Sequence, residues 1–267
     1  MKSHTFFSST LFAGQFRAAS LSKQLGMLAL CLLPTAASAD LGLFVLGGAQ
    51  TTLQNFAPYI NATALSAEHV LVRLPDTNPF TANHLRDMNQ YQNDLEKFLP
   101  LNSEGVVLFA YSGGAKFAAR LALDNKSVRG IFLMDPVDGP PPFTNDELKF
   151  PTVLKPDTPQ LDIPVFIIKS ERGGLPGFLG VPCVSKGNGP DHFVSFVDPA
   201  KLQFYTAPGA SHLDFLEPPL KALASAACAR SKEVPGATRA NALVNWTGFW
   251  QNLKAGIEAP QKAFLEP

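Results

Sequence analysis

Apolar residues along this chain fall into short continuous runs, which alternate with stretches in which apolar positions recur at helical spacing. A continuous apolar run is typical of a strand that is buried on both faces, as in a parallel sheet. The runs predict strands at residues 41–46, 69–74, 105–110, 128–134, 163–168 and 202–206. The periodic stretches predict helices at residues 82–98, 114–123, 219–230 and 239–257. Strands that alternate with helices predict the α/β class, with a mostly parallel sheet of about six strands and helices on both faces.

Two segments interrupt this alternation. Residues 139–164 contain seven prolines, so they cannot form a regular helix or a central strand, and we expect a loop over the edge of the sheet. Residues 172–190 are rich in glycine and proline and directly follow a predicted strand. Because α/β proteins bind substrates beyond the carboxyl ends of their strands, both segments are expected to be substrate loops.

Residues 1–39 differ from the rest of the chain because they contain no acidic residue. The segment begins with a basic stretch rich in Ser, Thr and Phe, typical of a transit peptide. It continues with an apolar run at 25–33, shorter than the roughly 20 residues that span a bilayer, and with a small-residue cleavage site, Ala37-Ser38-Ala39. We therefore expect a targeting leader at 1–39 and one domain at 40–267. Two destinations fit this leader: a plastid, including the thylakoid lumen, or secretion.

Composition narrows the classes of function. Three of the 22 Lys and Arg residues and none of the 22 Asp and Glu residues lie in the leader, which leaves 19 against 22, a formal charge of −3. No basic surface for nucleic acid is therefore expected, and no Cys/His cluster has zinc-site spacing. For Cys183 and Cys228 the sequence leaves open a disulfide or two buried thiols, and it does not indicate an oligomeric state.

The candidate nucleophile is Ser112, in the stretch VVLFAYSGGAKFAARLAL. A predicted strand ends at Ala110, Ser112 occupies the turn, and a predicted helix begins two residues later. This is the arrangement of a nucleophile elbow, in which small residues two places before and after the serine, here Ala110 and Gly114, allow a tight strand-to-helix crossing. The alternative role for Ser112 is that of an ordinary helix N-cap, which serine fills well.

A serine nucleophile needs a base, and the base needs an acid to orient it. His212 follows the last predicted strand and precedes a helix, which is where the order serine, acid, histidine along a chain places the base. His192, in the Gly- and Pro-rich loop, is the alternative base. A purely structural role for His212 would be to cap the helix that follows it.

Two strand ends offer the acid. Asp135 directly follows the strand at 128–134, with Asp138 three residues later, and Glu171 follows the next strand. Glu171 has the commoner position for the third member of a triad, but a carboxylate at either strand end can point toward the histidine. A structural alternative for Asp135 is a turn-forming role before Pro136. The order of the strands therefore leaves the acid open.

Four stretches together resemble the chlorophyllase family of α/β-hydrolases: AYSGGAKFA, then LMDPVDG after the next strand, then a Gly-rich loop that ends in PDHF, then ASHLDFL. The resemblance covers roughly residues 41–217, and the Asp-Pro-Val-Asp-Gly pentapeptide is its most specific element. It implies an α/β-hydrolase fold. It also implies a triad of Ser112, Asp135 and His212, and so favours Asp135 over Glu171.

The chain departs from the family pattern in three respects. It enters the sheet at what would be the family's third strand, so we expect it to lack the first two strands of the full fold. The family elbow usually has the sequence Gly-His-Ser-Arg-Gly-Gly, whereas this chain has Tyr111 in place of the histidine and no arginine. The family's Asn-His pair in the Cys-containing loop corresponds to Asp191-His192 here. These differences weaken the inference of the family's substrate more than the inference of its reaction.

The predicted reaction is ester hydrolysis through an acyl-enzyme, and this mechanism implies no metal or organic cofactor. The oxyanion would be stabilised by the backbone N–H of Gly113 and by an N–H of the loop after the first strand, at Gly48 or Ala49. The alternative for Gly47-Gly48 is a simple tight turn.

The resemblance implies a hydrophobic ester substrate, chlorophyll, which would be cleaved at its phytyl ester to chlorophyllide and phytol. Such a substrate would also imply peripheral contact with a pigment-bearing membrane. One alternative is a general carboxylesterase or lipase with the same triad. Another, of a different class, is a non-enzymatic pigment or lipid carrier with a hydrolase fold.

Overall fold

The computed structural model describes residues 41–76, 81–140, 146–178, 180, 182–184, 187–218, 228–232 and 235–263. The expected leader lies outside these residues, so its prediction stays a prediction. The strands of the described residues are β1 (Gly42–Leu46), β2 (Val70–Arg73), β3 (Val106–Tyr111), β4 (Val128–Met134), β5 (Val165–Ser170) and β6 (Leu202–Ala207). The α-helices are α1 (Leu53–Asn61), α2 (His84–Phe98), α3 (Gly114–Asp124), α4 (Pro190–Val194) and α5 (Pro235–Ala263). Short 3-10 helices occupy Ala67–His69, Leu99–Leu101, Pro199–Lys201 and His212–Phe215.

The six strands form one sheet in the order β2-β1-β3-β4-β5-β6, and every neighbouring pair is parallel. This confirms the predicted parallel sheet of six strands. The strands β1 and β3 are continuously apolar because the sheet buries them on both faces, and β4 is buried from Gly130 to its end. The carboxyl ends of β3, β4 and β5 lie side by side at one edge, so residues that follow these strands are neighbours in space.

Helices cover both faces of the sheet, as predicted. Side chains alternate between the faces along a strand, so β4 sends Ile131 and Leu133 to one face and Phe132 and Met134 to the other. The first face packs against α2 and α3, and the second packs against α1 and α5. The sheet is therefore the middle layer of a three-layer domain with a core on each side.

An aromatic cluster on the second face connects this core to the segment of His212. Trp246 of α5 packs edge-to-face on Phe109 and donates a 2.8 Å hydrogen bond from its indole nitrogen to the carbonyl of Tyr59 in α1. The Tyr59 hydroxyl in turn donates a 2.6 Å hydrogen bond to the carbonyl of Phe215, at the end of the 3-10 helix that begins at His212. The second core thereby fixes the far end of the histidine segment.

The proline-rich segment is irregular in its described part, as predicted, but it does not lie over the sheet edge as expected. Its side chains Phe150, Leu154 and Leu161 are buried, and Leu154 and Leu161 belong to the core beneath α2 and α3. The segment therefore extends the layer that covers one face. The prediction was wrong because proline content excludes regular structure but carries no information about which surface the loop covers.

Three helix predictions need correction. The helix α1 was not predicted, because Pro58 lies inside it. The short helix α4 was not predicted either; it begins at Pro190, the last residue of the Gly- and Pro-rich segment. Of the helix predicted at 219–230, residues 219–227 lie outside the described residues, and the described residues 228–230 are not helical. No helix in the described part of the chain is both long enough and apolar enough to cross a membrane.

A disulfide joins Cys183 to Cys228, which settles the alternative that the sequence left open. The bond connects the loop after β5 to the segment 228–232. That segment contacts the loop before His212, because the Lys232 N–H donates a 3.0 Å hydrogen bond to the carbonyl of Gly209. The disulfide therefore fixes a segment that is itself hydrogen-bonded to residues 208–211, the loop before His212, called the histidine loop below.

Candidate active site

Ser112 lies in the sharp turn between β3 and α3. Its backbone has a φ of 53°, a left-handed conformation that is uncommon for a residue other than glycine. Two backbone hydrogen bonds hold the turn against the neighbouring strand end: the Ser112 N–H donates to Met134 and its carbonyl accepts from Val137, both at 3.0 Å. A strained serine at a strand-to-helix turn is the geometry of a nucleophile elbow.

Gly114 shows why the elbow needs a small residue after the serine. A Cβ atom at Gly114 would lie 2.7 Å from the carbonyl oxygen of Gly47 and would also meet the backbone of Leu46. The start of α3 therefore packs directly on the end of β1, and only glycine allows this approach. Ala110, two residues before the serine, is fully buried in β3.

His212 connects Ser112 to Asp135. Its Nε2 lies 2.9 Å from the Ser112 hydroxyl oxygen, and its Nδ1 lies 2.7 Å from Oδ2 of Asp135. The imidazole is 5% exposed and Asp135 is 0% exposed, so little water competes for these contacts. In this geometry Ser112 can donate its proton to Nε2 while the Nδ1–H donates to the carboxylate, which can stabilise the imidazolium that forms.

Asp135 follows β4 and has a φ of 45°, which is also a strained left-handed conformation. Its backbone N–H donates a 2.7 Å hydrogen bond to the carbonyl of Ile168, so the turn is bonded to the adjacent strand. Its carboxylate accepts from Ser170 twice, from the backbone N–H at 2.9 Å and from the hydroxyl at 2.5 Å. The acid is thus held at its backbone and at both oxygens.

Tyr111, the residue before the nucleophile, contacts the histidine in two ways. Its hydroxyl donates a 3.0 Å hydrogen bond to the backbone carbonyl of His212, and its ring stacks on the imidazole with centroids 4.9 Å apart. Burial, and secondarily the carboxylate of Asp135, raise the pKa of the Tyr111 hydroxyl well above its usual range. The hydroxyl therefore stays protonated and remains a donor.

The loop after β1 lies against Ser112. A Cβ atom at Gly48 would be 2.6 Å from the Ser112 Cβ and 3.0 Å from the carbonyl oxygen of Tyr111, so this glycine permits a close approach of the two loops. Gly113, the other expected donor of an oxyanion hole, follows the serine directly, and a Cβ there would have open space around it. Ala49 is exposed, and Gln50 beside it has a φ of 61°.

The structure does not bring either alternative acid to His212. Glu171 is exposed, and its carboxylate accepts a 2.5 Å hydrogen bond from the N–H of Gly209 in the histidine loop. Asp138 is fully buried and accepts hydrogen bonds from the N–H groups of Val153 and Leu154 in the proline-rich segment. Glu171 therefore holds the histidine loop in place. Asp138 fixes the backbone of the proline-rich segment, which covers the first core.

The alternative base, His192, also lies away from the nucleophile. Its Nε2 is 3.1 Å from the carbonyl oxygen of Leu154 and 3.5 Å from Oδ2 of Asp138. It therefore belongs to the structural cluster around Asp138.

Two buried basic residues lie behind the elbow. Lys116 is fully buried on α3 and donates a hydrogen bond to the carbonyl of Gly139, and burial lowers its pKa to about 8 against the opposing effect of Asp138. His84 packs edge-to-face against Phe117, and burial, with a smaller effect of the Lys116 charge, lowers its pKa to about 3. Lys116 ties the nucleophile helix to the segment that follows Asp135.

Sequence reasoning missed three residues of this site: Tyr111, Ser170 and Gly173. Tyr111 was noticed only as a departure from a family pattern, and its position next to the serine was the available signal. Ser170 ends the strand next to that of the acid, and this adjacency follows from the strand order rather than from the local sequence. Gly173 was counted only as one glycine of a Gly-rich loop.

Several solved structures that are described as hydrolases or esterases are similar to this chain. A ferulic acid esterase from Streptomyces cinnamoneus matches with 11% identity over 82% of this chain and 68% of its own, with a TM-score of 0.50. A YdeN-like hydrolase from Pectobacterium atrosepticum matches with 13% identity over 81% of this chain and 94% of its own, with a TM-score of 0.48. A sugar hydrolase from Lactococcus lactis matches with 15% identity over 83% of this chain and 90% of its own, with a TM-score of 0.47.

The chain has the α/β-hydrolase fold. At these identities the likeness establishes the fold alone. No protein-family model matches the sequence, and no curated protein sequence does. In this chain Ser112, Asp135 and His212 occur in the order that is usual for the catalytic residues of that fold. The carboxylate bonded to the histidine, however, follows β4, the strand next to β3, whereas β5 ends in Ser170 and is followed by Glu171.

Proposed function

We propose that this chain is a serine ester hydrolase with Ser112 as nucleophile, His212 as base and Asp135 as acid. The observation that carries the proposal is the continuous hydrogen-bonded chain from the Ser112 hydroxyl through both nitrogens of His212 to the Asp135 carboxylate. A serine that only caps a helix needs no such series of hydrogen bonds. Its backbone would also not be expected in the left-handed region, where Ser112 lies.

In the proposed reaction His212 removes the proton of Ser112 as the serine oxygen attacks the ester carbonyl. The N–H groups of Gly113 and of Gly48 or Ala49 stabilise the negative oxygen of the tetrahedral intermediate. The C–O bond to the alcohol then breaks, and the alcohol leaves with the proton from His212. A water molecule, deprotonated by the same histidine, attacks the acyl-enzyme, which releases the carboxylic acid and returns the proton to Ser112.

The test uses a p-nitrophenyl ester and a fluorophosphonate probe. We expect the full chain to hydrolyse p-nitrophenyl butyrate and to be labelled at Ser112, and we expect Ser112→Ala to lose both properties. Ser195→Ala is the matched control, because the Ser195 hydroxyl donates to the carbonyl of His192, outside the site. A non-enzymatic carrier would leave Ser112 unlabelled, and that result would contradict the proposal.

The substrate that we propose is chlorophyll, cleaved at its phytyl ester. The resemblance of the DPVDG stretch to the chlorophyllase family supports this choice. The loop after β5 also carries large apolar side chains in solvent, Leu175 at 43% and Phe178 at 89% exposure, which suit a large hydrophobic substrate or its membrane. Product analysis after incubation with chlorophyll a tests the claim: chlorophyllide and phytol support it, whereas turnover of p-nitrophenyl esters alone indicates a general carboxylesterase or lipase.

The disulfide bears on the compartment. Disulfides persist in oxidising compartments, so the Cys183–Cys228 bond supports delivery to the thylakoid lumen or to the outside of the cell over a reducing compartment. Fusion of residues 1–39 to a fluorescent protein, followed by microscopy in an algal and a non-photosynthetic cell, would separate the two destinations.

A further inference from the structure

We propose that Ser170 is a positioning residue for the catalytic acid, a role that rests on the proposed function. Ser170 is the last residue of β5 and is buried, at 2% exposure. Its hydroxyl donates to Oδ2 of Asp135 at 2.5 Å, and its backbone N–H donates to Oδ1 at 2.9 Å. A single residue on the neighbouring strand therefore occupies both oxygens of the carboxylate.

The carboxylate needs such donors because its own torsion does not fix its orientation. Rotation about the terminal bond of an aspartate side chain is broad, with no sharp staggered minimum. His212 alone, bonded through Nδ1 to Oδ2 at 2.7 Å, would define one contact but not the plane of the group. With Ser170 bonded to each oxygen, the plane is set and Oδ2 is aimed at the imidazole. Hydrogen bonds to a charged acceptor are stronger than neutral ones, so this restraint is substantial.

A second observation concerns Gly173, whose lack of a side chain leaves the space that the Ser170 hydroxyl occupies. A Cβ atom at Gly173 would collide with that hydroxyl and would lie 2.6 Å from Oδ2 of Asp135. The carbonyl of Gly173 accepts a 3.1 Å hydrogen bond from the Val184 N–H, beside Cys183, so the loop is closed over the pair. The loop after β5 therefore packs directly on the Ser170–Asp135 hydrogen bond and shields it from water.

Residues at the end of β5 therefore contribute to catalysis, although the acid, Asp135, follows β4. The end of β5 offers Ser170 to the acid and Glu171 to the loop of the base, where it accepts from the N–H of Gly209. Ser170 touches neither the substrate nor the reacting atoms, so its effect is exerted through the orientation of Asp135.

The experiment compares the full-length chain with Ser170→Ala, and with Ser195→Ala as the control that removes a serine hydroxyl hydrogen bond elsewhere. kcat and KM are measured on p-nitrophenyl butyrate and normalised to sites titrated with the fluorophosphonate. We expect Ser170→Ala to lower kcat roughly 10- to 100-fold, the range for losing a hydrogen bond to a charged group, while KM changes less than about twofold. Ser195→Ala should match the parent in both constants.

Gly173→Ala provides an independent variant, since the added methyl group must displace the Ser170 hydroxyl. We expect it to lower kcat by a factor similar to that of Ser170→Ala. In the Ser170→Ala background the same glycine change should have a smaller effect, because its closest contact, the Ser170 hydroxyl, is gone and only the contact with Oδ2 of Asp135 still affects the acid. Equal effects in both backgrounds would contradict the claim that Gly173 acts through Ser170.

Two results would overturn the positioning role. One is a Ser170→Ala chain with the parent kcat per titrated site. The other is a loss of folded protein with unchanged kcat per titrated site, which would make Ser170 a stabilising residue only. Failure of the proposed function is distinguishable from either result, because then Ser112→Ala would retain the activity of the parent.

Discussion

The hydroxyl of Tyr111 donates to the backbone carbonyl of His212, while the ring of the same tyrosine stacks on the imidazole. The residue next to the proposed nucleophile thus holds the proposed base by both its backbone and its ring. Tyr111 ends β3, a central strand, so its two contacts hold His212, which lies outside the sheet, in a fixed position relative to the sheet.

Tyr111→Phe should lower kcat on p-nitrophenyl butyrate roughly 2- to 10-fold, since it removes one neutral hydrogen bond and keeps the stacked ring. Tyr111→Leu should lower it further, because the flat surface beneath the imidazole is also lost. Tyr59→Phe is the comparison: its hydroxyl donates to Phe215, at the far end of the same 3-10 helix, but not to His212. We expect it to lower kcat per titrated site less than Tyr111→Phe does, because it loosens the helix without removing a contact of His212 itself.

The identity of the acid is tested by a pair of isosteric changes. Asp135→Asn should lower kcat by about four orders of magnitude, as the matching change does in serine proteases, because an amide cannot hold the productive tautomer of His212. Glu171→Gln should leave kcat within about threefold, since the glutamine oxygen can still accept the Gly209 N–H. The opposite pattern in steady-state kinetics would assign the acid to Glu171.

His84 should make the fold sensitive to acid. Burial, with a smaller effect of the Lys116 charge, lowers its pKa to about 3, and within the described residues its Nδ1 has no hydrogen-bond partner. The unfolded chain therefore binds a proton more readily than the folded one, and stability that is complete above about pH 6.5 is lost as the pH falls below that value. Relative to His84→Leu, the parent should lose about 2 kcal/mol of unfolding free energy between pH 7 and pH 5, measured by urea denaturation.

A control for this pH experiment is Ser195→Ala, which removes a side-chain hydrogen bond but no ionisable group. Its unfolding free energy should change with pH as that of the parent does. If His84→Leu also followed the parent from pH 7 to pH 5, His84 would not be the group that binds the proton.

The disulfide should stabilise both the fold and the site. Cys228→Ser removes a crosslink between residues 45 positions apart, and we expect the unfolding free energy to fall by about 2 to 4 kcal/mol. We also expect a lower kcat, because the segment after Cys228 bonds to Gly209 in the histidine loop. Treatment of the parent with dithiothreitol should reproduce both effects and should leave Cys228→Ser unaffected. An insensitive parent would contradict the prediction.

Local sequence patterns were sufficient for most of the fold. The strand predicted at 128–134 has the bounds of β4, because a short, mostly apolar run between polar turns is typical of a buried strand in an α/β chain. Prediction of α1 failed since Pro58 lies within it, and a helix tolerates this only when tertiary packing compensates. Here the neighbouring Phe56 and Tyr59 are buried in the second core, which supplies that compensation.

The choice of acid shows where local patterns stop being informative. Asp135 and Glu171 both follow strands, and only the directions of the side chains separate them. Those directions depend on the positive φ of Asp135 and on the hydrogen bond between Glu171 and Gly209, neither of which has a sequence signature. Ser170 could not be found for the same reason, because its role exists only once β4 and β5 are paired.

The elbow of Ser112 and the turn of Asp135 are joined by backbone hydrogen bonds through Met134 and Val137, whereas His212 lies outside the sheet, at the start of a short 3-10 helix. Fluctuations of the sheet therefore move the first two residues together, and local opening of the segment that carries His212 separates it from them at a free-energy cost smaller than that of global unfolding. On gradual heating, catalysis should consequently cease several degrees before the core melts. Cooling from that interval should restore it, because the sheet keeps both partners in place for the returning imidazole.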